Sequence, residues 1–166
     1  MSGPVRKASA VRKASAVRKA SAVRKASAST LAALQAALAA EQAASYGYGV
    51  AGAHLSGPRF AAASADCVAH ERARDRLTAM ITALGGEPRP AAAAYRLPIA
   101  VRTPAAARSL AVILERQVAT AYLGLVAVRD PALRRIAAIN MRDCAVRSAR
   151  WSGRAQAFPG LSRPST

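Results

Sequence analysis

A chain of 166 residues with 52% hydrophobic but only 4% aromatic side chains has room for one domain and one core, built largely from small side chains. Two cysteines, with no CxxC pair and no zinc-finger spacing to a histidine, argue against a disulfide scaffold and a structural zinc site. The net charge of +17 favours a polyanionic partner, although the absence of basic–aromatic interleaving speaks against base-stacking recognition.

Residues 5–28 read VRKASA four times without a difference. Eight of the 25 basic residues lie in residues 1–28, where there is no acidic residue. On a helix each copy would turn about 120° from the last, so its basic pairs surround the axis. Valine is the sole sizeable apolar residue here, too little burial to offset the entropy of ordering. Residues 1–28 are therefore expected to form a disordered, at most transiently helical, basic tail. RKAS also matches a basophilic kinase site at Ser9, Ser15, Ser21 and Ser27. As an arm, the tail would hold nucleic acid or another polyanion without sequence preference. The following LAALQAALAA imitates a signal peptide, but Gln35 breaks the run and Glu41 interrupts any membrane span. A cytoplasmic protein without a membrane span is expected.

Four helices follow. Leu31, Leu34, Leu38, Glu41, Ser45, Tyr48, Gly52 and Leu55 keep a 3-4 spacing that defines the first, with Ser29 and Thr30 as caps and SGP at 56–58 as its stop. Within it, Gly47, Gly49 and Gly52 each cost roughly 1 kcal/mol and imply a close neighbour such as Trp151 or Arg147. A second seam runs through Phe60, Ala63, Cys67, His70, Arg74, Leu77, Ile81 and Leu84. Thr103-Pro104 opens a third helix reaching about Arg129, and Asp130-Pro131 opens a fourth that FPG at 158–160 stops. Residues 29–158 thus read as one all-α four-helix bundle, followed by a short C-terminal tail at 159–166.

Short turns make helices 1–2 and 3–4 antiparallel hairpins, whereas residues 85–103 are long enough to cross the bundle. Aligning Glu41 with Glu115 also sets Tyr48 against Tyr122 and Asp66-Cys67 against Asp143-Cys144. Two pseudo-symmetric hairpins with a long crossover between helices 2 and 3 are expected.

The stretches LQAALAAEQAASYGYGVAGAHL, LERQVATAYLGLVAV, DPALRRIA and AVRSARWSGRAQAFPGL resemble an actinobacterial ferritin-like family of unknown function, over about residues 31–161. The resemblance implies a ferritin-like bundle. In the wider group it implies a di-iron or di-manganese site, with a Glu from each of two helices and Glu-x-x-His from the other two. Glu41 and Glu115 match the first pair. Cys67-x-x-His70 and Cys144-x-x-Arg147 stand at the other two positions.

Arginine cannot become a ligand, and its charge competes with a cation for the same carboxylates. Glu41 and Glu115 set against Arg74 and Arg147 give a neutral set, with Tyr48, Tyr122 and Asn140 available to hydrogen-bond it. The expected reading is a non-catalytic, self-associating (homodimeric) domain without a cofactor, its degenerate site filled by this buried network. The alternative is an oxidoreductase-type metalloprotein holding iron or manganese through Glu41, His70, Glu115 and Asp143. Cys67 and Cys144 are either small core hydrophobes or, if symmetry brings them close, a redox pair.

Overall fold

The computed structural model describes residues 4–154, with side chains from residue 28 onward. It contains four α-helices, α1 (Pro4–Gly52), α2 (Gly57–Ala83), α3 (Pro104–Val126) and α4 (Pro131–Ser152), and no strand among the described residues. The chain is all-helical, with the expected number of bundle elements.

Local chemistry sets most of the boundaries. The Thr103 hydroxyl accepts the Ala106 N–H at 3.1 Å, the Asp130 carboxylate accepts the Ala132 N–H at 2.8 Å, and a proline follows each cap. Ser56-Gly57-Pro58 works as the start of α2 rather than as the stop of α1, which ends earlier at Gly52. At the end of α4, Gly153 takes φ +70° and donates its N–H to Ala149 at 2.8 Å. That left-handed cap terminates the helix before FPG. Residues 155–166, including FPG and the expected C-terminal tail, lie outside the described residues.

α1 is a single helix of 49 residues that runs through the VRKASA repeats. Residues 5–28 contain neither glycine nor proline and are rich in Ala, Arg and Lys, all strong helix formers. Extending a helix already nucleated by the bundle costs far less than starting one.

Contacts along the helices give their directions. Ser45 meets Cys67 and Leu31 meets Gly86, so α2 runs antiparallel to α1. Gly47 faces Leu114 and Gly124 faces Ala33, so α3 is antiparallel to α1 as well. With α2 and α3 pointing the same way, residues 84–103 must travel the length of the bundle. They do so along α1. Gln35 donates to the Glu87 carbonyl at 2.6 Å and accepts the Arg89 N–H at 3.1 Å. Gln42 donates to the Arg89 carbonyl at 2.9 Å, and the Tyr95 ring lies 5.6 Å from that of Tyr46. Two side-chain amides one heptad apart thereby supply the partners that an irregular backbone lacks.

Leu34, Leu38, Leu77, Ile81, Leu110, Leu114, Val118 and Leu125 are fully or almost fully buried among alanines, each large one contributing about 1.5–3 kcal/mol. Gly47 has the close neighbour that its helix position implied, but that neighbour is Leu114. A Cβ on Gly47 would lie 2.6 Å from a Leu114 methyl, whereas Gly49 faces open space and Gly52 faces Phe60.

Candidate functional site: a buried charge network

At the middle of this core every helix contributes a polar side chain. Glu41 and Tyr48 come from α1, His70 from α2, Glu115 and Tyr122 from α3, and Cys144 and Arg147 from α4. Glu41 and Glu115 are 1% and 0% exposed. Carboxylates this dry persist as charges only when matched by cations and donors.

His70 supplies the first match. Its Nδ1 lies 2.6 Å from Glu41 Oε2 and its Nε2 lies 3.1 Å from Glu115 Oε1, so one imidazole spans the two carboxylates. Burial alone would pull its pKa down, but the hydrogen bonds to Glu115 and Glu41 override that and hold it up at about 9. Both ring nitrogens are therefore protonated and donating near neutrality. Arg147 supplies the second match, donating from Nε to Glu115 Oε1 at 2.8 Å and from a terminal nitrogen to Cys144 Sγ at 3.4 Å. Although burial pushes the Glu115 carboxyl up, His70 and Arg147 hold it below the usual range.

The tyrosines complete the pattern crosswise. Tyr48 of the first hairpin donates to Glu115 Oε1 of the second at 2.6 Å, and Tyr122 of the second donates to Glu41 Oε1 of the first at 2.7 Å. Burial, reinforced by the adjacent carboxylates, raises both phenols far above their ordinary value, so they act as donors only. The Tyr48 ring also stacks on His70 with centroids 5.2 Å apart. Glu115 Oε1 thus accepts three bonds, while Glu115 Oε2 is buried with no hydrogen-bond partner. Two carboxylates, one imidazolium and one guanidinium sum to zero charge.

A third buried carboxylate sits beside this set. Asp66, 4% exposed, accepts the Trp151 indole N–H at 2.8 Å and a bond from Arg150. Trp151 lies between Tyr48, at 6.3 Å, and the Arg59 guanidinium, 5.7 Å from its centroid.

Of the residues singled out in the sequence, Glu41, Tyr48, His70, Glu115, Tyr122 and Arg147 come together. Three do not. Arg74 bonds Asp75 at 2.9 Å on the rim, Asn140 donates to the Ile136 carbonyl of its own helix at 2.8 Å, and Asp143, 41% exposed, pairs with Arg142. The second cation of the network is His70, not Arg74, and Asp143 is no member of a ligand set with Glu41, His70 and Glu115. Cys67 and Cys144 are free thiols with separate partners, Cys67 on the Ser45 carbonyl at 3.5 Å and Cys144 against Arg147. Burial, with Glu115 nearby, raises the Cys144 thiol strongly, so it stays protonated.

Helix phase accounts for the misplacement of Arg74 and Cys67. The buried positions of α2 are Ala63, Asp66, His70, Ala73, Leu77 and Ile81, a 3-4-3-4-4 stripe, where the expected seam stepped through Cys67 and Arg74. The two Asp-Cys pairs are therefore one residue out of phase. Here α2 buries the Asp and half-exposes the Cys, while α4 buries Cys144 and leaves Asp143 at the surface. Asp66 was legible as a buried group, because it lies four residues before His70 and so on the same helix face.

A bundle of four helices with a charge-neutral polar centre defines the structural class. The chain belongs to the family described as a domain of unknown function (DUF4439), whose model matches residues 33–163. It is also similar to a solved crystal structure of a conserved hypothetical protein, rv2844, from Mycobacterium tuberculosis. That protein is 35% identical, with a TM-score of 0.72 over 76% of this chain and 96% of that one. No curated protein matches the chain significantly.

Proposed function

We propose that this chain is a non-catalytic, ferritin-like helical domain whose ancestral metal centre has been replaced by a self-neutralising salt-bridge network. The observation that carries the reading is His70 bridging Glu41 and Glu115 while Arg147 bonds the same Glu115 oxygen.

A di-iron or di-manganese centre asks for four carboxylates and two imidazoles with free lone pairs. The residues present do not fit it. Both nitrogens of the one central histidine donate to carboxylates, and a permanent guanidinium charge takes the Glu115 oxygen a cation would need. Among the described residues no three His, Cys, Asp or Glu side chains form a metal-ligand group. The network does the electrostatic work of the metal, joining all four helices through groups the chain itself carries.

Metal analysis of protein purified without chelator tests this reading, alongside thermal unfolding with and without added chelator. Substoichiometric iron and manganese and an unchanged melting curve are expected. Stoichiometric metal that disappears in Glu41→Ala would instead establish the oxidoreductase-type metalloprotein.

A further inference from the structure

The VRKASA repeats lie on the same helix as the core seam, and their period of six sets where each basic pair stands on it. Six residues advance about 9 Å along an α-helix and leave the next pair about 120° around the axis. Arg6-Lys7, Arg12-Lys13, Arg18-Lys19 and Arg24-Lys25 occupy successive steps of that screw, and the fourth returns to the azimuth of the first. No acidic residue interrupts them. Val5, Val11, Val17 and Val23 follow the same screw, so the helix has no apolar stripe.

We propose that the α1 segment over residues 4–28 is an arm for duplex nucleic acid that binds without sequence preference. An interfacial membrane helix requires one apolar face, and a coiled-coil partner requires a seam; the period-six screw provides neither. A flat anionic surface would meet only about one azimuth in three. The major groove, about 12 Å wide, matches a helix of 10–12 Å diameter and sets phosphates along two sides of it. Whatever the rotation of the helix, about two steps in three of that register then fall on azimuths facing phosphates. Contacts of this kind hold the backbone and read no bases. This inference stands independently of the core network, whose variants should leave it unchanged.

Affinity for fluorescent duplexes of unrelated sequence, measured against salt, tests it on full chains carrying four, two or no copies of the repeat. Each copy adds two cations, so the slope of log K against log salt should steepen by up to about 1.8 per copy, roughly 7 in all. The steepening should be the same on every duplex. A variant with all eight repeat cations changed to glutamine, checked for an intact bundle by its melting curve, should behave as the chain without repeats. A slope indifferent to copy number overturns the proposal. So does a larger copy dependence on phosphatidylglycerol vesicles than on duplexes, which makes the segment a membrane-surface arm.

Discussion

At the scale of single residues, the centre of the molecule is governed by charge balance. Glu115→Gln leaves His70 and Arg147 with Glu41 as their one buried carboxylate, so urea denaturation should show a loss of about 3–5 kcal/mol. Asp143→Asn, at the surface, should change stability by less than about 0.5 kcal/mol by the same measurement. His70 also writes a pH dependence with a definite sign. Its folded pKa, about 9, lies above the ordinary histidine value, so its contribution is complete below that ordinary value. The contribution, on the order of 3 kcal/mol, is lost as pH rises through about 9. Glu115 acts in the opposite sense, because its lowered pKa gives stability that is lost as pH falls through the lowered value. Denaturation midpoints across pH should therefore fall at both ends, and His70→Gln should remove the decline near pH 9.

At the scale of the helices, small residues decide how closely neighbours approach. Gly47→Ala improves helix propensity by about 1 kcal/mol but drives a methyl into the buried Leu114 side chain. Overpacking costs typically 1–3 kcal/mol, so a net loss of about 1 kcal/mol is expected. Gly49→Ala meets nothing and should gain about 0.5–1 kcal/mol, which makes the pair a clean contrast in thermal melts. Helix phase belongs to this scale too. Seam residues Ala63, His70 and Leu77 hold in the structure as read, because they lie seven residues apart and steps of 3 then 4 or 4 then 3 reach them alike. Sequence spacing alone does not say which step intervenes. Asp66, four residues before His70, and Cys67, three before it, both fit the stripe by spacing, and the structure buries Asp66.

Over the whole molecule, the all-helical class, the two hairpins and the crossing link were legible in the sequence. Cap-proline pairs, short turns and a proline-bearing link of that length leave few alternatives. The convergence of Glu41, Tyr48, His70, Glu115, Tyr122 and Arg147 was legible as well, since each lies on an apolar stripe where an unmatched polar group would be costly. Which cation faces which carboxylate was not, because partner choice depends on side-chain reach across helices rather than on spacing within one. The course of α1 through the repeats rests on a different term. A repeat without a core partner gives no burial signal, while helical continuation draws on the stability of its neighbour.

The crosswise tyrosines carry a consequence for how the molecule comes together. Each hairpin supplies a cation for its own carboxylate but takes the phenol donor from the other, so neither half can complete the hydrogen bonds of its own buried carboxylate. Cut within the link at residues 91–94, the chain should yield two fragments that are poorly ordered alone and regain helicity by circular dichroism when mixed. Fragments folded independently, with no gain on mixing, would refute this. The halves are interlocked rather than merely adjacent, and a mutation that frees one tyrosine should loosen both.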